Sequence, residues 1–518
     1  MKVLRNFSRL FVGLVFIYSG FVKVIDPLGS AYKFTDYFVA MHIDFLSGMS
    51  LFFSILLSVA ELVIGIALVF NLVPKLASWG VLLFMGLFTP LTLWLAAANP
   101  VSDCDCFGDA LILTNWQTFY KNLVLLVFVI IIFLYRKKFK PVYNEFFQWA
   151  LGVFFTIASV VLSLYCLRNL PVIDFRHYHV GANIQEGMII PDEEKDNVDV
   201  YESIFIYEKN GEQKEFAVDE LPDSTWTFVD ATHKLIKEGY KPPIHDFTIE
   251  PIYVPGISPE PAEEVYVNLY DAQFMYSKDG ETEYCNVDGL PDNTWKLEHI
   301  VYETELDPYL IRLTYLNPEG IEEVFNIYEI PGNDYVFIDA EYIPEQDFET
   351  IPYGEDITDL VLSDENYAFF LVMTNVEDAK TKYISKINEI AKFCKEKNYS
   401  FYCLTASGVE EITAFAKENE VDFNFYNTDP ITLKTVVRSN PGLVLVKKGT
   451  ILNKWSGPNV PEVSELQSEL TALAITEHQK NKNDQVTLIY ILALALFMSL
   501  FHNFYVILIK KKIINLNK

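Results

Sequence analysis

Long apolar runs alternate with short polar stretches over the first third of the chain. They cover residues 8–25, 51–73, 76–98, 119–135 and 147–167, and one more run, 487–509, stands near the C-terminus. A helix needs roughly 20 apolar residues to cross the hydrocarbon core of a bilayer. Backbone polar groups find no water there, so each run is expected to be a helix. The run at 119–135 is the shortest of the six. From Tyr201 to Tyr335 the pattern changes to short alternating stretches broken by Asn-Gly or Asp-Gly pairs, the signature of hairpins. From about 354 to 476, apolar runs such as Tyr367–Met373 alternate with amphipathic stretches, which predicts an α/β unit.

Basic residues orient the spans. Lys2, Arg5 and Arg9 precede or open the first, Lys75 separates the second and third, Arg136, Lys137, Lys138 and Lys140 separate the fourth and fifth, and Lys510, Lys511 and Lys512 follow the sixth. Six spans put all four groups on one side, which the positive-inside rule makes cytoplasmic. The loops at 26–50 and 99–118 and the region 169–485 then lie outside, in a chain held in the cytoplasmic (inner) membrane of a bacterial-type envelope. The first span is read as retained, since no small-residue cleavage site follows it.

Charge sharpens this division. The chain is 51% hydrophobic, yet its formal net charge is −29. Residues 186–375 hold 45 Asp and Glu against 9 Lys and Arg. A surface that acidic repels phosphate, so nucleic acid is not an expected partner, whereas membrane lipid is. A solvated acidic face accounts for it without a ligand, and a basic partner or calcium are the alternatives.

Within the acidic region three units repeat. Asn210-Gly211 is followed by Pro222 and Trp226, Asp279-Gly280 by Pro291 and Trp295, and Glu319-Gly320 by Pro331 and Tyr335, with the same spacing each time. Each unit is expected to be a small β element with its aromatic residue in the core. Pro251 to Pro261 reads as a linker after the first unit. His233, His245 and His299 do not recur in register, so no metal site is predicted.

Two features carry candidate chemistry. Cys104 and Cys106 lie between Asn99-Pro100 and Gly108, in a turn on the outer side. A disulfide between residues so close is strained and therefore oxidising, in a compartment where disulfides form. Asp103, Asp105 and Asp109 work against this by raising the thiol pKa. A plain staple for the loop is the competing reading, and a metal held by two thiolates and a carboxylate is a third, with too few cysteines behind it. Glu61 is the one carboxylate deep in a span. Buried intramembrane carboxylates suggest function, here a proton relay or a contact to a quinone headgroup; the alternative is an ion pair with Lys23 or Arg9.

The Arg9, Gly13, Ser19-Gly20 and Lys23 spacing, with the Cys-x-Cys-Phe-Gly run at 104–108, resembles the DoxX and MauE families of redox-associated membrane proteins over about residues 1–140. MauE resemblance implies assistance to disulfide formation in a client protein with thiols. DoxX resemblance implies electron transfer between a sulfur compound and quinone. The order of elements over 354–476, with Asn440-Pro441 before a strand, a turn at Lys447–Gly449 and a return strand, resembles the thioredoxin fold, which implies that Pro441 is its cis-proline and binds a partner's extended segment. The usual Cys-x-x-Cys is absent: its place holds Thr374 to Asp378. Cys394 and Cys403, among apolar neighbours, are expected to be buried and inert. The runs 181–188 and 241–246 look like those of DoxX-family proteins with an extracytoplasmic extension.

The expected organisation is therefore an all-α membrane bundle (1–140, DoxX/MauE-like), a fifth transmembrane helix (141–168), an acidic extracytoplasmic region of three β repeats (169–350), an α/β thioredoxin-like domain without Cys-x-x-Cys (351–476) and a C-terminal transmembrane helix with a basic tail (485–518). The leading functional expectation is a thiol–disulfide accessory protein, a candidate oxidoreductase acting through Cys104, Cys106 and Glu61 with quinone as candidate cofactor. The alternative is a non-catalytic envelope scaffold with a structural Cys pair and acidic contact repeats.

Overall fold

The computed structural model describes residues 1–470 except 102–105, 142, 210–211, 218–220, 223–224, 238, 261–267, 293, 303–305, 319, 333, 343–352, 422 and 468–469. The run 487–509 lies outside the described residues.

Six helices open the chain: α1 (Lys2–Ile25), α2 (Pro27–Ala40), α3 (Ser50–Phe70), α4 (Pro74–Ala98), α5 (Asn115–Leu134) and α6 (Glu145–Asn169). Among the described residues five stretches are long and apolar enough to cross a membrane: α1, Asp44–Phe70, α4, α5 and α6. With them the chain is a multi-pass membrane protein. The fourth span is longer than its apolar run suggests. Thr114 and Gln117 form a reciprocal capping box that starts α5 at Asn115, among polar residues. The segment 26–50, read as a loop, instead holds α2 and a 3₁₀ turn at Asp44–Met49. Asp26 caps α2 by accepting from the Gly29 N–H, and Pro27 sits at its first position, where no N–H is missed.

The bundle has two distinct ends. At one, Arg9 donates to the carbonyls of Leu68 and Val69, Asn71 donates to the Lys140 carbonyl, and Gln148 accepts from the Val73 N–H. At the other lie the end of α1, α2, the 99–114 connection, the end of α6 and an α/β domain.

After α6 a short helix, α7 (Ile184–Met188), precedes a three-stranded antiparallel sheet of β1 (Val200–Lys209), β2 (Glu212–Ala217) and β3 (Thr227–Lys237), ordered β2-β1-β3. Next comes β4 (Glu250–Ile252), which corrects the reading of 251–261 as a linker from its start. It pairs antiparallel with Phe425–Asn427, Pro251 opposite Tyr426, at the edge of a sheet, where a proline's missing N–H breaks no ladder.

Residues 258–355 form a separate compact unit. It holds β5 (Gln273–Lys278), β6 (Glu281–Cys285) and β7 (Lys296–Val301), ordered β6-β5-β7, then β8 (Ile311–Leu316), β9 (Glu322–Asn326) and β10 (Val336–Tyr342), ordered β10-β8-β9. All three small sheets thus place the first strand in the middle. Asp279 and Gly280 both have positive φ, the conformation that a two-residue hairpin needs. Phe274, Tyr276, Ile311, Leu313 and Tyr315 make the core of this unit. Trp295 and Tyr335, expected inside, are half-buried and flank it, and Trp226 is half-buried in its own sheet. The central strands supply the inner face, leaving the aromatics to cover its border.

The α/β domain contains α8 (Thr358–Ser363), β11 (Tyr367–Met373), α9 (Ile384–Lys397), β12 (Ser400–Thr405), α10 (Val409–Glu418), β13 (Phe425–Asn427), α11 (Pro430–Val436), β14 (Gly442–Lys447) and β15 (Thr450–Ser456). Its six strands run β15-β14-β11-β12-β13-β4, parallel across β11-β12-β13 and antiparallel elsewhere. Both faces are covered, which is why β11 reads as an unbroken apolar run. Phe369, Leu371 and Met373 pack with Ile387, Ile390 and Phe393 on one face. Phe370 and Val372 pack with Phe247, Leu433 and Val444 on the other. By sequence alone residues 377–397 read as helical, but the α-helix starts only at Ile384, after a 3₁₀ turn at Thr381–Tyr383.

Candidate functional site

The close approach of α1 and α3 sets the site. A Cβ on Gly20 would stand 2.5 Å from the Leu62 backbone nitrogen, and one on Gly65 would stand 2.7 Å from that of Ile17. Small residues let membrane helices meet backbone to backbone. One turn beyond Gly20, Lys23 is then brought against Glu61, with Nζ 2.5 Å from Oε2. Both side chains are largely buried, at 17% and 7% exposure. Arg9, the other partner considered for Glu61, bonds instead to carbonyls at the end of α3.

The pair also lines a cavity of about 760 Å³, counting the space open at its mouth. Phe16, Phe34, Phe84 and Phe88 give it aromatic walls, and Lys33, Lys121 and Asn122 add polar groups. Cys106 and Phe107 line the same cavity. Glu61 is therefore an ion-pair partner and a cavity residue at once.

Cys104 lies outside the described residues. The segments on either side of residues 102–105 are held by α1 and α5. Asn115, at the start of α5, donates from Nδ2 to Asn99 Oδ1 (2.9 Å) and to the Val101 carbonyl (2.8 Å). Ser19 Oγ donates to the Cys106 carbonyl at 2.5 Å. Lys121 Nζ lies 4.3 Å from the centre of the Phe107 ring, within cation–π range. Cys106 is half-buried, and its position is thus set by α1 and α5 together.

The α/β domain meets this end of the bundle through charged side chains. Arg438 bonds with Nε to Asp26 (3.0 Å to Oδ2), with Nη2 to Asp109 Oδ2 (3.0 Å) and with Nη1 to the Lys434 carbonyl (2.6 Å). Burial alone would favour loss of its proton, but Asp26 and Asp109 outweigh that and hold Arg438 above its ordinary pKa. Burial raises the Asp109 carboxyl against the pull of Arg438. Nearby, Asp174 takes two bonds from Arg176 (2.6 and 2.8 Å) and one from Lys454 (2.5 Å). Burial would raise Asp174, but Arg176 and Lys454 hold it well below the usual carboxylate range. Lys454, buried beside the Arg176 charge, is lowered to about 8.

The Asn440–Pro441 peptide is cis. Asn440 Nδ2 donates to the Asn375 carbonyl, and the Asn440 carbonyl accepts from the Lys380 N–H. Pro441 thus lies beside the 374–378 turn and three residues from Arg438, not at the cavity. Cys394 and Cys403 are fully buried. Burial pushes the first thiol up to about 12 and the second well above its ordinary value. Among the described residues no three metal-binding side chains come together. The sequence reading missed Arg438. Its only local signal is a guanidinium set directly after the apolar Val436-Val437 and before Asn440-Pro441.

Residues 1–135 match the family model described as methylamine utilisation protein MauE, so the chain carries a MauE-like membrane module. Residues 201–238 match a domain of unknown function, DUF8463. Among curated proteins none matches the chain. The solved structures that bear a distant likeness include two. One is the mitochondrial 2-Cys peroxiredoxin from Plasmodium falciparum, 14% identical, covering 33% of this chain and 92% of that one, with a TM-score of 0.18. The other is a hypothetical protein from Sinorhizobium meliloti 1021, 8% identical, covering 34% and 87%, with a TM-score of 0.17. What the comparisons establish is a multi-pass membrane protein whose N-terminal quarter is similar to MauE.

Proposed function

We propose that the chain is a thiol–disulfide accessory protein of the cytoplasmic membrane, acting on a client protein at the outer face. The observation that carries this reading is that Cys106 and the Glu61–Lys23 pair line one cavity. In the forward direction a client dithiol is oxidised to a disulfide, and the Cys104–Cys106 disulfide is reduced to two thiols. Two electrons and two protons must then leave the pair. A quinone in the cavity supplies a two-electron, two-proton acceptor, and the aromatic walls with a charged end suit a flat, polar-headed ring. Glu61 and Lys23 hold and move protons at that end, at Oε2 and Nζ. The MauE likeness supports the accessory role, and the family's description ties it to methylamine utilisation. The strand order, the helices on both faces and cis-Pro441 favour a thioredoxin-like assignment for the α/β domain, which has no Cys-x-x-Cys. Its part is then to present or recognise the client.

A scaffold reading has one observation of its own. The Asn440 carbonyl, next to Pro441, is occupied by the Lys380 N–H, which leaves it less available to an extended client. The test between the two is the double variant Cys104→Ser/Cys106→Ser in cells. Loss of oxidised client supports the redox reading; an undiminished yield of oxidised client refutes it.

A further inference from the structure

The end of the bundle where Arg9 meets α3 is strongly basic. Lys and Arg occupy eight positions within residues 1–15, 66–82 and 128–144, and Asp and Glu occupy none. The first carboxylate beyond them, Glu145, is exposed. At this end α4 begins and α5 finishes, and the two helices pack side by side. Arg136 follows α5 and folds back over the seam between them. Its Cζ lies 4.0 Å from the centre of the Phe133 ring and 5.8 Å from that of Trp79. The two rings meet edge to face, 4.6 Å apart. Arg136 Nη1 donates to the Phe133 carbonyl at 2.8 Å, which uses one of the guanidinium's five donors. Among the described residues Arg136 makes no other hydrogen bond and no ion pair.

Beyond the rings the seam is apolar. The helices are antiparallel and Trp79 meets Phe133, so Leu83 comes level with Ile130, and both are exposed. Leu87 and Val127 continue the two rows and are exposed as well. An open guanidinium, an aromatic border and an apolar seam follow one another in the order of a lipid's headgroup, glycerol and acyl chain.

We propose that the α4–α5 seam holds one acidic phospholipid, with its phosphate ester on Arg136 and an acyl chain along Leu83 and Ile130. A cluster of cations without a carboxylate favours a headgroup with net negative charge over a zwitterionic one. A second copy of the chain is a poorer occupant. Copies in one membrane share an orientation, so pairing at this seam would set one basic cluster against another. A free phosphate would leave the apolar rows uncovered.

The inference is independent of the cysteine chemistry. It is tested on the full chain in a neutral detergent, by native mass spectrometry with phosphatidylglycerol or phosphatidylcholine titrated in. One phosphatidylglycerol should be retained per chain, about tenfold more tightly than phosphatidylcholine. Arg136→Gln should weaken it about tenfold, the order of one charge-assisted hydrogen bond, and Arg136→Lys less, because the charge stays and the fork does not. Trp79→Leu leaves every charge in place and should also weaken it. Lys2→Gln, on α1 and away from the seam, should stay within twofold of the parent. If Arg136→Gln lowers the yield of folded chain, Arg136→Lys and Trp79→Leu decide the matter. Equal affinity for the two lipids, or Arg136 and Trp79 variants within twofold of the parent, overturns the proposal. So does a loss in Lys2→Gln as large as in Arg136→Gln, which would mark diffuse attraction. Displacement of the lipid by millimolar inorganic phosphate would assign the site to free phosphate, and a dimer that retains no lipid would assign the seam to a second copy; either result overturns it too.

Discussion

Removing one member of the Lys23–Glu61 pair should harm the bundle more than removing both. The two groups are 2.5 Å apart and nearly out of water. Lys23→Met leaves the Glu61 carboxylate buried without its cation, and breaking a buried pair in this way costs about 3–5 kcal/mol. Lys23 keeps 17% exposure, so the lower end, about 3 kcal/mol, is the better figure. Glu61→Gln leaves the ammonium in the same position and should cost a similar amount. The double variant Lys23→Met/Glu61→Gln removes both charges and fills the space with groups of similar volume, so most of the loss should be recovered. The assay is thermal unfolding of the detergent-solubilised chain, read as the fraction retained in a monodisperse peak. A loss of 3 kcal/mol in a domain this size lowers Tm by about 6 °C or more. A double variant as unstable as the sum of the two single ones would refute the reasoning. The double variant should also separate stability from function: it restores the bundle but removes the Glu61 and Lys23 proton carriers from the cavity, so client oxidation stays low.

Gly20→Leu should push α1 from α3, because its Cβ has no room beside Leu62, at a cost of about 1–3 kcal/mol; an unchanged Tm in the same assay would count against the packing argument. Cys394 and Cys403 should resist maleimide in the folded protein and react after denaturation, as mass spectrometry of labelled peptides would show. Asp174 has a folded-state pKa held below its unfolded value, so its contribution to stability is complete above about pH 4 and is lost as pH falls below that; Asp174→Asn should flatten this acid limb of the unfolding profile.

Local patterns made much of this legible. Apolar runs of about 20 residues marked the five described spans, since a chain in a bilayer must satisfy its own backbone hydrogen bonds and a run of that length does so as a helix. The Asp279-Gly280 pair announced its hairpin because few residues accept positive φ twice in succession. Glu61 stood out because a lone carboxylate in an apolar run is costly. What sequence could not reveal is contact between distant residues. Arg438 meets Asp26 from 412 positions away, and nothing in either neighbourhood encodes the pairing. β4 looked like the start of a linker because Pro251 is a poor strand former, and its role is defined only by its pairing with β13. The segment 26–50 hid α2 because 14 residues with mixed polarity carry no spanning signal. The start of α9 was misplaced because the 374–383 stretch is polar in a way that either a turn or a first helical coil accepts.

The proposed redox role of the cysteine pair is tested most directly by the redox state of Cys104 and Cys106 in intact cells, read by thiol trapping before and after a mild reductant. A working pair should give a mixed population that shifts quickly with the reductant and returns when it is removed. A fully oxidised pair that resists reduction would contradict it and identify the cysteines as a staple.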